Sequence, residues 1–188
     1  MRGRDDRARA KMGVMPREGR TGLVVLVPEA EAVLADVAHH YPEAVRNGIP
    51  AHISLLYPFL PADCCNDVVL TALSEIVAQT EPLTVRLSEC ERRDGFTALR
   101  PEPLEPLRAL SERAQQRWPH AAPCEGRFGD VDPHVTVALR TTAERARIVE
   151  QESAPPHLPI TAELRDVRLV AFDGGRWKVR HQFTLGTG

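Results

Sequence analysis

Two triplets in this 188-residue chain combine residue types and spacing that suit proton transfer: His52-Ile53-Ser54 and His134-Val135-Thr136. Each lies in a short apolar run that reads as a buried strand. The first is Ala51-His52-Ile53-Ser54-Leu55-Leu56-Tyr57-Pro58-Phe59, where Pro58 ends the ladder because it has no donor; the second is Pro133-His134-Val135-Thr136-Val137-Ala138-Leu139. Strand side chains alternate faces, so in each triplet the imidazole and the hydroxyl share one face and the aliphatic residue takes the other. Two imidazoles near their ordinary pKa supply an acid and a base at neutral pH, and two hydroxyls supply donors to an anion. The competing reading is a pair of core histidines, each bonded to a neighbouring hydroxyl, since a buried polar group must be satisfied. With seven histidines in the chain, the triplets alone do not decide.

The elements around them do more. Leu23–Val27 reads as a strand closed by Pro28, and 29–40 has helical spacing (Ala32, Val33, Ala35, Val37) after acids that suit a helix N-terminus. The turn-like Arg46-Asn47-Gly48-Ile49-Pro50 leads into the His52 strand. Asp63 or Asn66 then caps a helix to about Gln79, and strand 82–91 turns at Arg93-Asp94-Gly95 into a hairpin partner, Phe96–Arg100. The second half repeats this order. Helix 104–118 is followed by a loop rich in Gly, Pro and Asp, then the His134 strand and a helix from Thr141 or Thr142 to about Glu152. Pro159–Leu164 mirrors Pro82–Leu87, and Asp173-Gly174-Gly175 turns into a closing strand, Arg176–Leu185. Each His triplet holds the same place in its repeat, which makes two weak signals one symmetric pair.

Composition bounds the class. Hydrophobic content of 43% with 27% charged residues is that of a globular chain long enough for a sizeable core. No apolar run approaches the ~20 residues that span a bilayer, and no signal-like segment opens the chain, so the expectation is a cytoplasmic protein that meets no membrane. Of the four cysteines, Cys64 and Cys65 are adjacent and Cys90 and Cys124 stand alone, without metal or redox spacing. Neither a metal nor a cofactor is expected. Residues 1–20 carry seven Lys or Arg against three acids, a net of +4. The remaining body is −6, and the whole chain −2. The arm reads as a disordered leader, with nucleic-acid contact as the alternative. An acidic body argues against wide binding of duplex nucleic acid, and fits a small phosphate ester or one end of an RNA strand.

From Leu23 to Gly186 the chain resembles the 2H phosphoesterase superfamily, and within it the bacterial 2′-5′ RNA ligase (LigT-like) family. The resemblance rests on His52-Ile53-Ser54-Leu55 with Tyr57-Pro58-Phe59, on Pro133-His134-Val135-Thr136-Val137, and on the strand from Trp177 to Phe183-Thr184-Leu185-Gly186. It implies an α+β fold duplicated about a pseudo-two-fold, with two antiparallel β-sheets forming a central groove and helices packed outside. Residues 21–188 would then be one bilobal domain of two interleaved repeats. It implies hydrolysis of a 2′,3′-cyclic phosphate or related phosphodiester without metal, with His52 and His134 catalytic and Ser54 and Thr136 holding the phosphate. Ser in the first motif departs from the usual Thr but keeps the hydroxyl. The expected partner is a small nucleotide or an RNA end bearing a cyclic phosphate, met by a monomer. The alternative is a non-catalytic phosphate-binding protein using the same groove.

Other residues carry less. Phe128, in the loop before His134, is a candidate for stacking on a base, and Arg140, after the second motif, a candidate phosphate contact. Tyr57 and Phe59 continue the odd-numbered face of Ile53 and Leu55, opposite His52, which predicts core packing. His181 alternates with Val179, Phe183 and Leu185 and reads as a structural histidine on a core-facing side. Pseudo-symmetry leaves open which of His52 and His134 is acid and which is base.

Overall fold

The computed structural model describes residues 17–186 apart from Asn47, Asp94 and residues 122–131. The basic leader, except for its last four residues, and Phe128 therefore lie outside the described residues. The strands are β1 (Thr21–Leu26), β2 (His52–Leu56), β3 (Leu83–Arg93), β4 (Phe96–Glu102), β5 (Val135–Leu139), β6 (Ile160–Leu164), β7 (Asp166–Phe172) and β8 (Trp177–Thr184). The helices are α1 (Glu31–His40), α2 (Asp67–Ala78), α3 (Glu105–Arg117) and α4 (Ala143–Ile148), the last continuing as a π-turn through Ser153. Two caps expected from sequence are in place: the Asn66 side chain accepts from the Val69 N–H at 3.2 Å, and the Thr142 hydroxyl from the Arg145 N–H at 3.3 Å. No helix among the described residues is long and apolar enough to cross a membrane.

All strand pairs are antiparallel, in the order β6-β3-β4-β5-β2-β1-β7-β8. This is two four-stranded halves meeting at a seam between β2 and β5, where the register pair among the described residues is Ile53 with Val135. A pseudo-two-fold through the seam exchanges β2 with β5, β1 with β4, β7 with β3 and β8 with β6. Edge strand β6 also ends close to the start of β7, next to the opposite edge: a single residue, Arg165, separates them, and two bonded steps span no more than about 7 Å. The sheet is therefore curled, with a concave groove and a convex face. Apolar side chains of the convex face (Val25, Ile53, Leu99, Val135) join those of the helices (Val33, Val37, Leu73, Leu107, Leu110) in the main core. α1 packs against β5 and α3 against β2, so each half's helix covers the other half's histidine strand.

Two sequence expectations are corrected here. Strand β7 has no counterpart in the sequence reading, because no Gly or Pro marks its boundary with β6; the corner is Arg165 alone. Consequently the second hairpin is β7–β8 rather than residues 159–164 with the closing strand, and β6 leaves to pair with β3. His181 is exposed rather than core-facing, with its ring 4.7 Å from that of Phe183. A register shift between Leu169 and Val170 breaks the alternation of edge strand β8, and Val179 is exposed with it.

Candidate active site

Extending the Ile53–Val135 register by one residue each way sets His52 opposite Thr136 and Ser54 opposite His134. Ile53 and Val135 are fully buried on the convex side, so these four polar side chains form a block on the concave face. The two imidazoles lie on one diagonal of the block and the two hydroxyls on the other. All four sequence-predicted residues are brought together by a single pair of strands.

Each imidazole is oriented in the same way. His52 Nδ1 donates to the Pro50 carbonyl (2.7 Å), and His134 Nδ1 donates to the Asp132 carbonyl (2.8 Å). A carbonyl only accepts, so in the neutral ring the proton sits on Nδ1 and Nε2 carries the free lone pair toward the groove. The segments supplying those carbonyls are themselves held. Val27 N–H donates to the Ala51 carbonyl at 2.8 Å, and Ala51 N–H donates to the Glu31 carboxylate at 2.5 Å. In the other half Pro133 has no N–H to hold. There Arg108 donates through Nε to the Asp132 carboxylate at 2.9 Å and also pairs with Glu105.

Both strands bulge just beyond the block. Leu23 pairs with Leu56 but Val24 with Ser54, leaving Leu55 extra; Thr97 pairs with Ala138 but Ala98 with Thr136, leaving Val137 extra. The Leu55 carbonyl is taken up by the buried hydroxyl of Ser111 on α3. The first bulge corrects the face expected for Tyr57, while its packing in an apolar cluster holds. The extra residue moves Tyr57 to the concave face, over Gly22, where a Cβ would come within 3.1 Å of its ring. Tyr57 joins Trp177, Val24, Val170, Leu26, Ile49 and Phe172 in a separate cluster, and the Arg46 guanidinium lies 5.8 Å above its ring. Phe59 packs in the main core against Trp118, as expected.

Electrostatics favour the neutral form of both rings. His52 is 8% exposed; burial, then the Arg46 charge, and least of all His134, outweigh the Pro50 bond and push its pKa down to about 4. Burial also lowers His134, against its bond to Asp132, and the Arg93 and Arg46 charges add to the lowering, while the Asp132 carboxylate opposes it. The Phe96 ring stacks on His134 (centroids 5.0 Å, 27° between planes) and reaches it past the small side chain of Ala98. The Ser54 and Thr136 hydroxyls are half-buried and have no hydrogen-bond partner among the described residues. They are donors turned into the groove.

Arg140 is not part of this block. It is exposed, in the left-handed region (φ 54°), and its N–H donates to the Gly95 carbonyl at the β3–β4 turn, beyond the far end of β5 from His134. Sequence reasoning missed Phe96, Arg46, Arg93 and Arg100. Alternation from the β3–β4 turn would have put Phe96, Ala98 and Arg100 on one face, but only the seam tells which face meets His134. A second recess lies on β3, lined by Arg86, Ser88, Cys90 and Glu150 among others. Burial and the Glu150 carboxylate push the Cys90 thiol up to about 12, which removes it as a nucleophile.

The model of the family described as the 2′-5′ RNA ligase superfamily matches residues 26–176, which include the whole block. The chain belongs to that superfamily. A Bacillus pumilus (strain SAFR-032) protein named "Putative phosphoesterase" is 27% identical over 180 residues, covering 87% of this chain and 96% of its own. Three solved structures share the superfamily fold at lower identity. E. coli LigT complexed with 3′-AMP has a TM-score of 0.57 at 19% identity, over 90% of this chain and 99% of its own. The LigT complex with ATP has a TM-score of 0.54 at 16% identity, with the same coverage. TT0787 of Thermus thermophilus has a TM-score of 0.56 at 20% identity, over 89% of this chain and 98% of its own.

Proposed function

We propose that this superfamily member is a metal-independent phosphodiesterase that opens 2′,3′-cyclic phosphates, on an RNA end or a small nucleotide, by acid–base catalysis through His52 and His134. The observation that carries the reading is the block at the seam: two imidazoles on one diagonal and two hydroxyls on the other, with no hydrogen-bond partner at either Nε2 or either hydroxyl among the described residues. In-line displacement needs a base on the attacking water and an acid on the departing ribose oxygen, on opposite sides of phosphorus. The diagonal supplies both positions. His52, deeper and with Arg46 against it, stays neutral and takes the water proton at Nε2. His134, where the Nδ1 bond to the Asp132 carbonyl and the Asp132 carboxylate oppose the lowering by burial, takes the acid role and gives its Nε2 proton to the leaving oxygen. The water oxygen–phosphorus bond forms, one phosphorus–ribose oxygen bond breaks, and a phosphomonoester remains. Ser54 and Thr136 donate to the non-bridging oxygens as charge gathers there.

The substrate assists its own acid. A phosphate anion between the rings favours their charged forms and reverses part of what burial imposes. Nucleotide binding near pH 6 should therefore take up a proton. The name of the Bacillus relative and the nucleotide complexes of E. coli LigT agree with this substrate class.

The test is hydrolysis of 2′,3′-cyclic nucleotides and of a short RNA with a cyclic end, in EDTA, across pH 4–9. A bell-shaped kcat/KM profile that disappears in His52→Ala supports the reading. Absence of turnover with nucleotide binding intact would make the protein a binder instead. Activity lost to EDTA and restored by a metal would remove the two-histidine mechanism.

A further inference from the structure

We infer that the groove reads a second phosphate, carried on the 5′-oxygen of the nucleoside that bears the cyclic phosphate, through Arg100 on the β4 wall. This rests on the proposed function for the position of the scissile phosphate. Leu99 pairs with Val135, so Arg100 stands opposite His134 on the neighbouring strand, about 4.8 Å away between strand axes. It alternates with Ala98 and Phe96 on the concave face, and lines one recess with them, His134 and Asp132. Its guanidinium is exposed and makes no ion pair or hydrogen bond among the described residues. The other arginines near the groove are engaged: Arg93 with Glu91, Arg168 with Asp166, Arg108 with Asp132 and Glu105.

The pseudo-two-fold sharpens the point. The counterpart of Arg100 is Leu26, which stands opposite His52 and belongs to the apolar cluster with Val24, Tyr57 and Trp177. Symmetric positions beside the two imidazoles thus carry a cation on one wall and hydrocarbon on the other. A lone cyclic phosphate between the imidazoles gives the two walls no reason to differ. A nucleotide with a further anion on one side and its apolar face on the other does. Planar guanidinium with several free donors suits bidentate contact with phosphate.

Both a 5′-phosphorylated mononucleotide and the last nucleotide of an RNA place a phosphate on that oxygen, so the test uses both. kcat/KM is compared for a nucleoside 2′,3′-cyclic phosphate, its 5′-phosphorylated form and a dinucleotide with a cyclic end. In parallel, calorimetry compares a nucleoside 3′-monophosphate with the 3′,5′-bisphosphate as ligands. The 5′-phosphate should improve both measures about tenfold or more, the scale of a charge-assisted contact. That ratio should fall to about one in Arg100→Gln, recover in part in Arg100→Lys, and survive in Arg168→Gln, which removes a charge from the opposite wall. A ratio near one in the wild type, or one unchanged by Arg100→Gln, overturns the subsite. A gain confined to the dinucleotide shows that the diester of an RNA chain is read. A bisphosphate preference lost in Arg100→Gln, with no substrate turned over, keeps the subsite and removes the hydrolytic reading.

Discussion

The two halves that meet at the β2–β5 seam share a plan and differ in dress. Backbone features are matched closely: the triplet, the bulge three residues after each histidine, and the Nδ1 bond to the carbonyl two residues back. The surroundings are not matched. Around His52 lie Leu26, Val24 and an aromatic cluster of Tyr57, Phe172 and Trp177. Around His134 lie Arg100, Arg93, Asp132 and, among the described residues, a single aromatic ring, Phe96. Duplication thus explains why two imidazoles face one centre, while divergence of the flanking strands gives them different neighbours and gives the groove a direction.

The largest effect should come from the block itself. His52→Ala and His134→Ala should each lower kcat by about 10²–10⁴-fold on a cyclic nucleotide, and the double variant should be hardly worse, because the rings act as a unit. Their pH profiles should differ. In His134→Ala the limb of the kcat profile that falls at high pH should vanish, and in His52→Ala the limb that falls at low pH. If the vanished limbs are exchanged, the acid and base roles are reversed.

Stability should follow the same asymmetry. A folded-state pKa near 4 for His52, against about 6.5 unfolded, means the unfolded chain binds the proton more readily below pH 6.5. Stability linked to His52 is therefore complete above about pH 6.5 and is lost as pH falls toward 4, by at most about 3 kcal/mol. His134 contributes in the same direction. Denaturant titrations at pH 7 and pH 4.5 should show a smaller difference in His52→Asn than in the wild type, and an unchanged difference would mean that His52 is not held neutral by burial.

A smaller effect should separate the two aromatic flanks. Phe96→Leu removes the ring stacked on His134, admits water, and should raise the His134 pKa, moving the high-pH limb of kcat upward with a few-fold change in rate. Tyr57→Leu should leave the pH profile in place and lower the melting temperature, because Tyr57 packs in the cluster beside β2. Equal shifts in both variants would erase the distinction between the walls.

Much of this was legible in the sequence because it depends on alternation and repetition. His52 with Ser54 and His134 with Thr136 share a face by strand geometry alone, and the repeated order of elements places both triplets at the centre. The seam was not legible: no local signal says that β2 pairs with β5, and that pairing is what brings Arg100 and Phe96 to His134. Nor were the bulges. Leu55 and Val137 look like ordinary core residues, yet each turns the rest of its strand by one position, which is why Tyr57 faces the groove. Arg140 drew attention by its closeness in sequence to the second motif, but an extended strand carries successive residues about 3.3 Å apart and leaves it at the hairpin end.

The smallest predicted effect concerns how each histidine segment is anchored. In the first half the Glu31 carboxylate accepts directly from the Ala51 N–H, a fully buried residue's backbone donor. Removing the acceptor in Glu31→Ala leaves that donor unsatisfied and should cost about 1–2 kcal/mol, with His52 less well placed and kcat reduced. Glu31→Gln keeps an acceptor without the charge and should recover most of both. In the second half Pro133 has no donor to orphan, and the corresponding contact runs between side chains that solvent reaches, half-buried Arg108 and Asp132 and exposed Glu105. Arg108→Ala should therefore barely move the melting temperature, and its small effect should shrink further at high salt, where exposed pairs are screened. Urea melts at two salt concentrations measure both. A salt-sensitive loss in Arg108→Ala as large as that in Glu31→Ala would mean that the two anchors are equivalent after all, and that replacing a backbone donor by proline changed the means of anchoring without weakening it.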